Sequence, residues 1–569
     1  MTAQTQGVER QPSAAVAGED AFAVAAAAMR ALRPLRNARL KNAAELLRQK
    51  EYQAAEGLLS SYLEKSPDDP GALQLMAQAA YNLGRKEKAE ALYAQCLAHA
   101  PDFTAARYEY ANTIFQLNRP SLALKQIEIL LEHDPRNILF LDLKAIVLSA
   151  MGRHADAMAC YRQLADSHPD VPDVWIKYGW SLKSVGRREQ TVEAFRKAIE
   201  YRPAFGEAYW SLADLKNFRF SGEEIQGMQE LLSQTEIAGE DRMYLHFALG
   251  KAYGDAGNYA RSFENYARAN ALKRLTLDYD PGWLARNVRK FKALFTNEFL
   301  QVHAGAGCDT PGPIFIVGMQ RAGSTLLEQI LASHSAVEAT AELPDISLLA
   351  EHIGENIAPK FGSEYPDILA KLDAAALREF GERYLETTRF RRSAAHPFFT
   401  DKMPYNFMHV GLIHLILPKA KIIDMRRHPL ACCFSNFSSH FKFGALFAYR
   451  LTELGQAYAD YVKLMAHFDA VLPGRVYRVF YEDLVRQPEK EIRRLLDHIG
   501  LPFEDACLRF HENRRAMDSV SSEQVRRPIF TESLDQWRNY EQWLAPLKSA
   551  LGPVLDAYPA VPDFGSLNS

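Results

Sequence analysis

The sequence predicts two halves of different class: an all-α repeat solenoid, followed by an α/β domain with a mostly parallel sheet. Three observations carry this. Pro67, Pro101, Pro135, Pro169 and Pro203 stand at a constant spacing of 34 residues. A short apolar run, Pro313–Val317, leads into a glycine loop, Gly318–Thr325, and then into Leu326, Leu327, Ile330 and Leu331 at helical spacing. A second run, Lys421–Met425, reads as another strand and ends on Arg426 and Arg427.

The 34-residue period recurs in two further series. Gly84, Asn118, Gly152 and Gly186 share one phase, and Ala55, Ala89, Ala123 and Ala157, continued by Thr191, share another. Four residues after each of the latter comes a large apolar side chain: Leu59, Tyr93, Ile127, Tyr161 and Phe195. This pattern fits a pair of antiparallel helices per unit. The Gly or Asn closes the first helix, the small residue lets two helices approach, and the proline starts the next connection. A looser copy, Gly250 to Gly257 and on to Ala267, extends the helical layer to about residue 275. Tyr178, Trp180 and Trp210 are candidates to line a groove, although each alone reads more simply as core.

The length of 569 residues calls for two or three domains. The expected boundaries are 1–35 (disordered tail and lead-in helix), 36–300 (repeat array and linker helices), 310–555 (α/β domain) and 556–569 (C-terminal tail). Apolar residues make up 48% and charged residues 24%, and the net charge is -3, so bulk electrostatics does not suggest nucleic-acid binding. Six scattered cysteines form no C-x-x-C pair, which argues against a disulfide framework or a zinc knuckle. A reducing, cytoplasmic setting is the expectation. No apolar run is long enough for a bilayer, and the acidic flank of Ala21–Met29 is wrong for a signal peptide. No H-E-x-x-H or carboxylate cage marks a metal site.

Strand, glycine loop and helix in that order build an anion cradle from backbone N–H groups and a helix N-terminus. The glycine spacing is that of a nucleotide-triphosphate loop, but Ser324 occupies the position of its lysine. That argues against ATP or GTP hydrolysis and against a nucleotide kinase. Arg321, inside the loop, supplies a cation instead.

The 34-residue array resembles tetratricopeptide repeats over residues 40–215. Residues 310–555 resemble the sulfotransferase superfamily, nearest its tyrosylprotein branch. The resemblance rests on four blocks in the family's order: Pro313–Glu342, Phe399–Asn406, Lys421–Pro429 with Ser435, and Ser521–Pro528. It implies 3′-phosphoadenosine 5′-phosphosulfate as co-substrate, without a metal. It also implies donor contacts from Arg321, Ala322, Gly323, Ser324 and Thr325, with Arg321 bridging the 5′-phosphosulfate. By the same resemblance Lys402 stabilises the leaving phosphate or the bridging oxygen, and Ser521 hydrogen-bonds the transferring group. Arg427, Ser435 and Arg527 meet the 3′-phosphate, and Tyr481 meets adenosine, with core packing as the competing reading. Glu342, 21 residues after Arg321, matches the family's general base; if it is buried, its pKa is raised toward neutral pH. Asp345 and Glu338 are weaker competitors. Arg526 is read as solvent-facing. The chain departs from the family's Pro-Arg-Ser-Gly-Thr-Thr loop at Gln320 and Ala322, from its usual Asp at His428, and from its Lys or Arg at Gln536. Those departures leave a repeat scaffold with an impaired transferase domain as the alternative. A protein or peptide tyrosine bound by the repeat groove is the preferred acceptor, with a non-protein hydroxyl as the other option. Neither nucleic acid nor membrane is an expected partner, and a homodimer would fit the resemblance.

Overall fold

The structure is a computed structural model, and it describes residues 21–31, 37–392, 396–441, 444–513, 515–517 and 524–564. The tail expected over residues 1–20 and Ser521 lie outside the described residues.

The repeats form as their phased residues require. Helix pairs such as Pro70–Asn82 with Lys86–His99, and Thr104–Gln116 with Pro120–His133, follow one another. Gly84, Asn118, Gly152 and Gly186 all take left-handed φ, between 57° and 81°. Beyond the first helix of each pair the chain closes with a long backbone bond. Arg85 N donates to Ala80 O at 2.9 Å, Arg119 N to Ile114 O at 3.1 Å, and Arg187 N to Leu182 O at 2.9 Å. The phased small residues are buried: Ala55, Ala89, Ala123 and Thr191 are 0% exposed. The partners Leu59, Tyr93, Ile127 and Phe195 are equally buried and fill the layer between helices. The looser copy is a true helix pair, Gly239–Asp255 and Tyr259–Leu275, with Gly257 left-handed between them.

The α/β half carries five parallel strands: β1 Pro313–Gly318, β2 Val337–Ala339, β3 Phe398–Asp401, β4 Lys421–Arg426 and β5 Val476–Phe480. Their order is β2-β3-β1-β4-β5, and every pairing is parallel. All six residues of β1 are buried, as a strand covered on both faces must be. β1 stands in the middle: the connection after β1 runs to β2 on one side, and the connection after β4 runs to β5 on the other. The carboxyl ends of a parallel sheet at such a switch point form a crevice that suits ligands.

By compactness the chain divides into two units. One comprises the described residues of Met1–Ala150 with Ala155–Tyr178 and Arg196–Pro203; the other comprises Met151–His154, Gly179–Phe195 and the described residues of Ala204–Ser569. The dividing line thus runs through the helical array itself. The segment expected as a tail from 556 begins inside helix Pro553–Ala557. Beyond that helix, Tyr558 donates from its hydroxyl to Glu482 Oε2 at 2.6 Å.

Candidate active site

Five of the expected residues follow the five strands in turn. Arg321 comes after β1, Glu342 after β2, Lys402 after β3, Arg427 after β4, and Tyr481 after β5.

The loop after β1 is built around two glycines. Gly318 has φ 139°, and a Cβ there would stand 2.5 Å from Met425 O. Gly323 has φ 106°, and a Cβ there would stand 2.5 Å from the Tyr481 ring and 2.9 Å from Met425 Cε. Arg321 itself is left-handed at φ 66°, a conformation that non-glycine residues rarely take. Helix Ser324–Leu331 starts immediately after Gly323, with Ser324 and Thr325 buried in its first turn. Gln320, where the family has proline, keeps its carbonyl fixed by two donors, Asn436 Nδ2 at 2.8 Å and Cys432 Sγ at 3.2 Å. Ala322 is 1% exposed. The two departures therefore leave a packed loop.

On one side of the loop stands Lys402, 2% exposed, paired with Glu342. Residues 340–342 are pinned to β3 by Thr340 Oγ1 donating to Thr400 O at 2.5 Å and by Lys402 N donating to Ala341 O at 3.3 Å. Burial alone would lower Lys402, but the Glu342 and Glu328 carboxylates outweigh it and hold the ammonium above its ordinary value. Glu328, one turn into the loop helix, accepts from Thr400 Oγ1 at 3.2 Å and from Arg515 Nη2 at 2.8 Å. Burial opposes its charge, yet Arg515 and Lys402 keep its carboxyl below the usual range. Glu342 is not buried: its side chain is 47% exposed. Of its competitors, Asp345 is buried and Glu338 lies 3.8 Å from His396.

On the other side, Arg321 Nε donates to Ser435 Oγ at 3.1 Å. These two residues were expected to serve opposite ends of the donor, and they meet directly. Arg427 Nη1 donates to Arg321 O at 3.2 Å and Nη2 to Ser533 O at 2.6 Å. Its guanidinium lies 4.8 Å over the Tyr481 ring, and its buried Nε has no hydrogen-bond partner among the described residues. Tyr481, only 9% exposed, also shares a bond of 2.9 Å with Ser533 Oγ. It is therefore a packed platform under Arg427 and against Gly323. Arg527 is exposed; it donates to Asn217 Oδ1 at 3.3 Å and lies over Phe530. Arg526 does not face solvent: its Nη2 donates to Ser184 O at 3.2 Å, because Gly186 leaves room for the guanidinium. His428 stacks on Trp537 at 5.0 Å and its N–H donates to Glu482 Oε1, so the turn holds without an aspartate. Gln536 is exposed.

Sequence reasoning missed Glu328, Arg515 and Ser533. Only Glu328 left a signal, as a carboxylate among the buried Leu327, Ile330 and Leu331. Among the described residues no group of His, Cys, Asp or Glu could hold a metal ion. No described helix is long and apolar enough to cross a membrane, and all six cysteines are free thiols.

Arg321 of the glycine loop and the Lys402–Glu342 pair thus stand after the carboxyl ends of strands in one parallel sheet. Residues 313–505 match the model of the sulfotransferase family, and residues 46–95, 87–147, 141–170 and 172–205 match tetratricopeptide-repeat models. Residues 313–505 are therefore a sulfotransferase-family domain, with tetratricopeptide repeats ahead of it. An uncharacterized protein of Aquifex aeolicus (strain VF5) is 30% identical over 412 residues, which is 71% of this chain and 53% of that protein. Protein-tyrosine sulfotransferase 1 of Danio rerio is 28% identical over 239 residues, 39% of this chain and 65% of that protein. The chain thus spans between about half and two thirds of these curated relatives. The solved sulfotransferase domain from the Synechococcus PCC 7002 olefin synthase aligns at TM-score 0.31 and 23% identity, covering 40% of this chain and 88% of that one.

Proposed function

We propose that the protein transfers a sulfuryl group from 3′-phosphoadenosine 5′-phosphosulfate to a hydroxyl, with a tyrosine of a protein or peptide held by the repeat array as the preferred acceptor. The observation that carries this reading is the Lys402–Glu342 pair beside the Gly318–Thr325 loop.

A free phenol has a pKa of about 10 and needs a base near neutral pH. Glu342 is partly open to solvent and takes that proton as the phenol oxygen attacks sulfur in line. The bond from sulfur to the bridging oxygen of the 5′-phosphate breaks, and that oxygen leaves with the electron pair. Lys402, already held as an ammonium by two carboxylates, meets the developing charge there. The products are a sulfate ester and adenosine 3′,5′-bisphosphate. Electrostatic stabilisation of this kind, from preorganised groups, is the dominant catalytic effect in such transfers.

Backbone N–H groups of Ala322, Gly323, Ser324 and Thr325 hold the phosphosulfate, with Ser521 as a further donor to the moving group. Arg427 and Ser435 hold the 3′-phosphate, and Arg321, already bonded to Ser435, joins them. Tyr481 supports Arg427 and offers its edge to adenosine, and Arg527 closes the site from outside.

The test is transfer of labelled sulfur from the donor to tyrosine peptides by the full chain, with the modified residue mapped. Label on a peptide tyrosine is the expected result. Failure of the full chain to bind the donor would sink the reading, and label found only on a sugar or lipid hydroxyl would move the acceptor.

A further inference from the structure

The Lys402–Glu342 pair does not stand by itself. A strand puts successive side chains on opposite faces. On one face of β3, Asp401 accepts from the Tyr384 hydroxyl at 2.9 Å. Thr400 lies on the other, the face that Lys402 continues one residue past the strand, and its Oγ1 donates to Glu328 Oε1 at 3.2 Å. The carbonyl of Thr400 accepts from Thr340 Oγ1, and Lys402 N donates to Ala341 O. One threonine thus ties helix Ser324–Leu331 to the segment that carries Glu342.

The second oxygen of Glu328 belongs to Arg515, whose Nη2 donates to Oε2 at 2.8 Å. Arg515 Nε donates to Gln329 Oε1, also at 2.8 Å. Gln329 Nε2 in turn donates to Phe510 O and Asn513 O, both at 3.0 Å, and Asn513 Nδ2 donates to Ala332 O at 3.0 Å. These amide bonds already anchor residues 510–513 to the helix without any charge, so anchoring alone does not call for a guanidinium. The charge answers a different need. Glu328 is 3% exposed and Lys402 2%, and a carboxylate or ammonium so buried is costly unless partnered. Lys402 and Arg515 stand against Glu342 and Glu328, two cations to two anions. Without Arg515, Glu328 would be left with the ammonium of Lys402, which it already attracts. It would then compete for the charge that the leaving oxygen needs.

We propose that Arg515 and Glu328 are positioning residues for the Lys402–Glu342 pair: Arg515 takes up the Glu328 carboxylate, so that Lys402 stays with Glu342 and the reacting oxygen. Both act through Lys402 and touch neither substrate. The inference rests on the sulfuryl transfer proposed above.

Turnover and adenosine 3′,5′-bisphosphate binding, measured on the full chain, test this. Arg515→Gln should lower kcat about thirtyfold and Glu328→Gln about tenfold, because each leaves the corner with one unbalanced charge. Affinity for the bisphosphate should change by no more than about threefold in either. The variant carrying both substitutions again sets one cation against one anion, and its kcat should return to within about fivefold of the unaltered protein. Arg515→Lys keeps the charge and should stay within about fivefold as well. If the double variant is no faster than Arg515→Gln, or if bisphosphate binding falls in step with turnover, Arg515 only holds its segment and the proposal is overturned. Should Arg515→Gln not fold, an unaltered kcat in Glu328→Gln overturns it equally. In each of these cases transfer by the unaltered protein leaves the proposed function standing. No transfer by the unaltered protein overturns both.

Discussion

Lys402 and Arg321 follow neighbouring strands, β3 and β1, yet their surroundings are opposite. Lys402 sits with Arg515 between two carboxylates, Glu342 and Glu328, so its corner is neutral at rest. Arg321 donates to Ser435 and its carbonyl accepts from Arg427, so two guanidinium groups meet in its corner. The balanced corner keeps an ammonium charged and a base near it whether or not substrate is present, which suits groups that must act in the transition state. In the function proposed above, the corner with two arginines serves ground-state binding of the anion.

The sharpest way to break this contrast is to remove each corner in turn. Lys402→Ala should lower turnover about a thousandfold, and Glu342→Gln about a hundredfold or more, with affinity for adenosine 3′,5′-bisphosphate changed by no more than a few fold. Equal losses of turnover and affinity would erase the distinction. Arg427→Ala should do the reverse, weakening bisphosphate binding about a hundredfold and making its dependence on salt shallower, while turnover at saturating donor falls far less. Gly323→Ala strikes both corners through the loop. Its Cβ would meet the Tyr481 ring and Met425 at a left-handed φ, so urea unfolding should show a loss of about 1–3 kcal/mol. An unchanged midpoint would mean that the loop can move away from Tyr481.

The smallest effect sharpens the balanced corner. The Glu328 carboxyl is held below its ordinary value in the fold, so its contribution is fully present above the unfolded value. It is lost as pH falls through the lowered one. The stability gap between the unaltered protein and Glu328→Gln should therefore be constant above about pH 5 and shrink in more acid solution. A gap that does not narrow at any acid pH at which the protein stays folded would mean that its hydrogen bond to Thr400, not its charge, is what matters.

Much of this could be read from the sequence, and the reason differs by region. The repeats were legible because a left-handed turn and a close helix contact each demand one residue type at one phase, so Gly84 and Ala89 recur every 34 residues. The loop was legible because Gly323 has no substitute against Tyr481. Glu342 and Lys402 were legible only through the resemblance, since nothing local marks a glutamate and a lysine 60 positions apart as partners. Arg515 and Ser533 were not legible at all. Each owes its place to tertiary packing: Arg515 reaches back 187 positions to Glu328, and Ser533 meets Tyr481 across 52 positions. The Arg321–Ser435 bond was missed because family analogy assigned the two residues to different ends of one ligand.

The compact unit that holds the sheet also takes in Met151–His154 and Gly179–Phe195 from within the repeats. A natural or engineered recombinant that trades one repeat array for another keeps that unit whole only if its joint lies ahead of Met151. Repeats before that point can be added, lost or diversified as an exchangeable cassette. Those after it travel with the enzyme as inherited hardware.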